Sequence, residues 1–130
     1  MAMKEFSYGE SMGKYYPIVP LHLKNNIIEI DSDALIDSGA VVSVFRSDIA
    51  ELLDVKIEKG LRMNSISIGG KVEVFVHELE IKLFDRWFTC KVAFSKQSTA
   101  RFNLLGRDGF FERHLVTFNE KDKKTILTEF

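Results

Sequence analysis

The chain's 130 residues, 18 basic against 19 acidic for a formal net charge of −1, make one domain's worth of sequence, able to bury a modest core without staples. Lys and Arg are scattered along the chain, which speaks against a nucleic-acid partner, and no apolar run approaches the roughly 20 residues that span a membrane. Cys90 stands alone, so no disulfide within the chain is expected, and with no signal-peptide core in residues 1–6 a cytoplasmic location is the expectation.

Residues 1–14 hold Gly9, Ser11 and Gly13 and show no periodicity. They are read as a flexible N-terminal arm, with residues 15–130 as a single domain. Residues 15–24 alternate through Ile18, Leu21 and Leu23 and carry Pro17 and Pro20, which suits an edge strand. Asn25-Asn26 marks a turn. Residues 27–30 and 34–36 read as strands, with Asp31-Ser32-Asp33 as a bulge or turn between them. A short helix is expected over 47–53, with Ser47 as its N-cap and Ala50 and Leu53 at helical spacing.

Two alternating runs, 61–68 and 71–79, joined by Gly69-Gly70, predict a hairpin. The strand pattern continues over 80–84, Asp85-Arg86 turns, and 87–94 pairs back. A polar loop follows, then an apolar strand ending in Leu104-Leu105-Gly106-Arg107 and a short helical pattern over 109–113. A last hairpin is expected from 115–118 and 125–127. The sum is a mainly β domain with one or two short helices.

Chemistry concentrates at Asp37-Ser38-Gly39-Ala40, between the apolar stretches Ala34-Leu35-Ile36 and Val41-Val42-Ser43-Val44-Phe45. Asp, Ser and Gly are ordinary turn residues, so a hairpin turn is one reading of the motif. Continuous apolar flanks favour a buried loop that presents a carboxylate. His22, His77 and His114 are dispersed and make no metal-ligand spacing with Cys90, so no metal and no cofactor are expected.

The Asp-Ser-Gly-Ala loop, followed in the second half by Leu104-Leu105-Gly106-Arg107 and a short helical pattern, resembles the retropepsin-like aspartic proteases, over about 15–118. That resemblance implies a closed acid-protease β-barrel, active as a two-fold homodimer because each chain supplies one catalytic Asp. It implies that Asp37 of each copy meets the other at the axis, the pair sharing one proton because like charges so close cannot both ionise. The ionised member is the general base on a water, and the protonated member donates to the substrate carbonyl. The Ser38 hydroxyl is implied to bond across the interface, Gly39 to leave room for substrate, and Ala40 to contact it through backbone. Leu105, Gly106 and Arg107 are implied to cross under the loop. Ile68, Gly69 and Gly70 fall where the family carries its flap, with Ile66 and Val72 beside them, and an extended polypeptide is the implied substrate.

Two departures stand out. Retroviral members place acidic residues directly after the Ala, one of them pairing with the Arg of the Gly-Arg segment. Here those positions are Val41 and Val42, leaving Arg107 to pair with Asp48 or Asp108 or to stay solvated. The Ser43-Val44-Phe45 stretch looks more like cellular and prokaryotic members, and the chain continues through a hairpin where retroviral members end in single strands. Three readings stand at this point: a dimeric aspartic endopeptidase, a dimeric domain of the same fold that binds peptides without cutting them, and a small β-barrel interaction domain whose Asp-Ser-Gly is a turn.

Overall fold

The computed structural model describes residues 2–67, 70–97 and 100–130, with side chains for all of these except 65–67 and 70. Its centre is a closed mixed barrel of β4 (Ile18–Asn25), β5 (Ile28–Ile36), β10 (Leu104–Leu105), β6 (Ser43–Phe45), β9 (Phe88–Phe94) and β8 (Gly70–Lys82), hydrogen-bonded in that order. A second pairing closes the ring, Leu23 of β4 lying opposite Ile81 of β8. The long β8 serves two partners along one edge. Its first half pairs with β7 (Leu61–Ser67) and its last residues pair with β4. The β5–β10 and β6–β9 pairs are parallel. These are the mainly β class and closed barrel expected.

Alternation explains the core. β4 turns Val19, Leu21 and Leu23 inward, all at most 1 % exposed. They meet Ala34 and Ile36 of β5, Leu79 and Ile81 of β8, and Val92 and Phe94 of β9 in one buried cluster. Phe45 and Phe94 pack edge to face there, with ring centroids 6.5 Å apart. β4 is no edge strand: it has a neighbour on both sides. Pro20 lies outside the His22–Lys24 stretch that pairs with β8, so its missing N–H costs no bond on that side. Residues 31–33 are continuous strand within β5, not a bulge or turn, and Asp31 lies opposite His22.

The helix α1 (Ser47–Leu52) forms as expected and buries Ile49 and Ala50, with Leu53 buried just after it. Its N-cap, however, is Arg46, which makes no side-chain cap. The Arg46 guanidinium forks onto the Asp48 carboxylate at 2.6 and 2.9 Å, and that bond holds the Asp48 pKa below the usual carboxylate range. The second helical pattern is a 3₁₀ turn, Phe111–Arg113. Among the described residues, no helix is long and apolar enough to cross a membrane.

The first 14 residues are not a loose arm. They hold β1 (Met3–Ser7), β2 (Gly9–Ser11) and the start of β3 (Lys14–Tyr16). β1 pairs with β12 (Lys124–Glu129), whose other side pairs with β11 (His114–Asn119). The Tyr8 N–H donates to the Lys123 carbonyl at 2.8 Å, tying the segment down further.

This three-stranded sheet packs on the barrel through Leu127 and His114. The His114 ring lies stacked on Phe110, 4.6 Å between centroids, and its Nδ1 donates to the Phe110 carbonyl at 2.9 Å. Its Nε2 is buried with no partner. Burial pushes the His114 pKa down, the nearby Arg113 adds to that, and the Phe110 carbonyl and Glu129 oppose it. A folded-state pKa below the unfolded value means that acid favours unfolding. The contribution is intact above the ordinary value of about 6.5 and is lost as pH falls below it towards the depressed folded value. Unfolding free energies from denaturant titrations between pH 7 and pH 5 should therefore fall with pH, by at most about 1.4 kcal/mol per pH unit for this one proton. His114→Phe, which keeps a stacked ring, should flatten that slope.

Candidate active site

Asp37 follows directly on Ile36, the last residue of β5, which is 3 % exposed and anchored in the core. Its N–H donates to the Leu105 carbonyl at 2.9 Å, so the loop begins as a continuation of the β5–β10 ladder. The chain then turns: the Ala40 N–H reaches the Asp37 carbonyl at 3.2 Å. Inside that turn the Gly39 N–H donates to the Asp37 carboxylate at 2.9 Å and orients it. A Cβ on Gly39 would stand 3.2 Å from the same carboxylate oxygen, tighter than most side chains tolerate. Asp37 is half-buried, whereas Ser38 and Gly39 are exposed. The loop therefore presents a fixed carboxylate beside an exposed hydroxyl.

The segment after β10 braces the loop from beneath. The Arg107 N–H donates to the Ala40 carbonyl at 2.9 Å and the Asp108 N–H to the Val41 carbonyl at 2.7 Å. Just before them, Gly106 runs so close that a Cβ would lie 2.8 Å from the carbonyl carbon and oxygen of Val42. Leu105, Gly106 and the Arg107 backbone thus lie against the Asp37 loop. The Arg107 side chain is exposed, and Asp48, one of its expected partners, is taken by Arg46.

Two braces escape a reading of the motif alone. Ser43 is fully buried, and its Oγ accepts the Gly106 N–H at 3.0 Å. Asn103, 2 % exposed, donates to the Asp33 carbonyl at 3.0 Å, and its Oδ1 accepts the Arg46 N–H at 2.8 Å. A serine inside an apolar alternation was the available sign for the first. The second depends on pairings between distant segments. Ser43→Ala leaves the Gly106 N–H unpaired in the interior and should cost about 1–3 kcal/mol, read from the denaturant midpoint.

Opposite the loop stands the β7–β8 hairpin, with Ser67 paired to Gly70. Of the expected flap residues, Ile68 and Gly69 lie outside the described residues, as does the Ile66 side chain, and Gly70 begins β8. The hairpin and the loop share an open cleft of about 390 Å³. Its loop side is residues 39–42 and its hairpin side is Met63, Asn64, Val74 and Val76, with Val44 and Ala93 lining it as well. Val72, named beside the expected flap residues, is half-buried and does not line the cleft. Among the described residues, no group of three or more His, Cys, Asp or Glu could hold a metal ion. Cys90 is buried beside Ser43, and burial pushes its thiol pKa up.

No protein-family model matches the chain, and no curated protein matches it. Solved structures do. A retropepsin-like aspartic protease from Rickettsia conorii superposes with a TM-score of 0.71 at 16 % identity, covering 98 % of this chain and 99 % of that one. The EIAV protease in complex with the inhibitor HBY-793 superposes with a TM-score of 0.54 at 22 % identity, covering 76 % of this chain and 88 % of that one. Identity at that level speaks to architecture, and over nearly its whole length this chain has the fold of the retropepsin-like aspartic proteases.

Proposed function

We propose that the chain is an aspartic endopeptidase that works as a homodimer, Asp37 of each copy activating water against a peptide bond of an extended polypeptide. The observation that carries this reading is the Asp37 carboxylate, oriented by the Gly39 N–H in a loop braced from below by Leu105 and Gly106. The fold supports it, since both solved relatives are proteases by name. One domain supplies one such loop, and the chemistry needs two carboxylates, so the second comes from a second copy. One carboxylate takes a proton from water as it attacks, and the other donates to the carbonyl oxygen as it becomes tetrahedral. The test is cleavage of unfolded protein at several acidic and neutral pH values, together with mass in solution. A strictly monomeric protein with full activity would exclude the shared-dyad reading.

Ser38 is exposed in the single chain, where an interface hydroxyl would stand. If it bonds across the two-fold axis, Ser38→Ala loses the bond twice, each worth about 0.5–1.5 kcal/mol. Sedimentation should then show a weaker dimer with an unchanged unfolding midpoint for the monomer. Ser38→Thr, which keeps the hydroxyl, should dimerise as the wild type does.

One observation favours the peptide-binding domain as a second reading. Val41, 57 % exposed, and Val42 occupy the positions where retroviral members carry acids. Wild-type protein that binds extended peptides and leaves them uncut would decide for it.

A further inference from the structure

From the contacts at the root of the β7–β8 hairpin we infer that His77 is a positioning residue for substrate: seated in the space left by Gly60 and bonded to the Ile57 carbonyl, it fixes the angle at which the hairpin stands opposite the Asp37 loop. The consequence for substrate rests on the function proposed above, whereas the hold on the hairpin stands without it.

The alternation of β8 turns Val74 and Val76 toward the cleft and Phe75 and His77 toward the opposite face. His77 therefore acts on whatever the cleft holds only through the strand that carries it. Its Nε2 donates to the Ile57 carbonyl at 2.9 Å. The same carbonyl accepts the Gly60 N–H at 3.1 Å, closing the 3₁₀ turn Ile57–Lys59. The ring packs edge to face on Phe94 of β9, a fully buried residue, with 5.8 Å between centroids. One side chain thus joins the turn before β7, the strand β8 and the barrel core.

Gly60 shows that this seat is built. Its φ of −77° and ψ of 176° are extended backbone that any residue adopts, so conformation does not call for glycine there. Space does. A Cβ would stand 2.5 Å from His77 Nε2, 2.7 Å from its Cδ2 and 2.8 Å from the Val76 carbonyl oxygen. The next residue, Leu61, opens β7 opposite Val76, so the ring is pinned where the two strands of the hairpin first meet. From that pair to the pair of Ser67 and Gly70 is a lever of roughly 20 Å, and a tilt of about 5° at its root moves the far end by about 2 Å. A shift of that order beside a substrate is expected to weaken its hold about tenfold. The bonds that set Asp37, to the Leu105 carbonyl and from the Gly39 N–H, share no atom with this seat. Loosening the root should therefore raise KM and leave kcat in place.

The experiment reads the hairpin and the substrate separately, by hydrogen exchange with mass spectrometry and by cleavage of fluorescein-labelled casein. In His77→Ala, amides of β7 and of the first half of β8 should exchange about tenfold faster, while those of β4 and β5 stay as in wild type. KM for casein should rise about tenfold with kcat within about twofold. Gly60→Ala, whose Cβ evicts the ring, should do the same and serves if His77→Ala is recovered unfolded. His77→Gln, which offers an N–H to the Ile57 carbonyl, should restore both readouts. Wild-type hairpin exchange in His77→Ala, equal acceleration in β4 and β5, or a Gln variant that behaves as Ala overturns the inference. So does an unchanged KM beside a loosened hairpin. Wild-type protein that leaves casein intact ends the protease reading alone; the affinity for labelled casein by anisotropy then takes the place of KM, with the same tenfold loss expected. Casein neither cut nor bound overturns the role toward substrate.

Discussion

Asp37→Asn is expected to abolish peptide cleavage while leaving the chain folded and dimeric. The substitution keeps the shape of the side chain and an acceptor oxygen at the position where the Gly39 N–H donates, 2.9 Å away. The loop's main-chain bonds, Asp37 N–H to Leu105 and Ala40 N–H to Asp37, do not involve the side chain at all. What disappears is the group that takes and gives a proton. General acid–base catalysis contributes about 10²–10⁴-fold, and here both members of the dyad change at once, so loss at or beyond that range is expected. In the proposed dyad the dimer should be as tight or tighter wherever both carboxylates of the wild type are ionised, because two facing charges that repel are replaced by two neutral amides. Cleavage by wild type should follow a bell-shaped pH profile, falling in acid as the base is protonated and in alkali as the acid is lost. Rigorously purified Asp37→Asn that cuts at the wild-type rate would falsify the proposed function.

The acid limb of that profile needs one control. His114 makes the fold less stable as pH drops below about 6.5, through the burial of its ring between the barrel and the three-stranded sheet. Activity lost at low pH can therefore come from the dyad or from unfolding. His114→Phe separates them: a limb that stays in place belongs to the dyad, and one that moves belongs to stability.

What the sequence shows of this fold is what its local physics writes down. β4 was legible because its inward residues alternate, and the β7–β8 hairpin because two alternating runs flank a glycine pair. The helix α1 was legible from the spacing of Ala50 and Leu53, its cap was not. The Arg46 N–H is satisfied by Asn103, 57 residues away, and no local pattern announces that. β1 escaped for a related reason. Its side chains are mostly exposed, so nothing alternates, and what holds it is backbone pairing to β12 at the far end of the chain. Residues 31–33 read as a turn because Asp31 and Asp33 are polar, yet they lie on the solvent face of a continuous strand. The candidate site divides in the same way. The Asp37 loop is one contiguous motif and is legible as such. The Ser43 and Asn103 braces exist only once distant strands are in register, and no contiguous stretch of sequence displays them.

Gly106→Ala is the substitution expected to damage the fold most for the fewest atoms. A Cβ there would stand 2.8 Å from the Val42 carbonyl carbon and oxygen and 2.9 Å from the Ala40 carbonyl oxygen. All three are backbone atoms, so no side-chain rotation relieves the contact. Either the loop or the segment after β10 must move. Movement strains the Arg107 N–H to Ala40 and Asp108 N–H to Val41 bonds, and with them the Gly106 N–H bond to buried Ser43. Overpacking costs about 1–3 kcal/mol and a buried donor left unpaired about 1–3 more. The sum is a large share of the roughly 5–15 kcal/mol that holds a domain of this kind together. The expected result is a denaturant midpoint far below wild type, or protein recovered unfolded. Gly39→Ala is the informative companion, since its Cβ meets only the Asp37 carboxylate, at 3.2 Å, and a side chain can yield. It should leave the midpoint nearly unchanged and lower activity by turning the carboxylate. Molecules of Gly106→Ala that do fold should also be poor catalysts, because the Asp37 N–H hangs on the carbonyl of the residue next door, Leu105. A Gly106→Ala protein with wild-type midpoint and wild-type activity would mean that the loop is not braced from beneath, and the account of how Asp37 is positioned would fall with it.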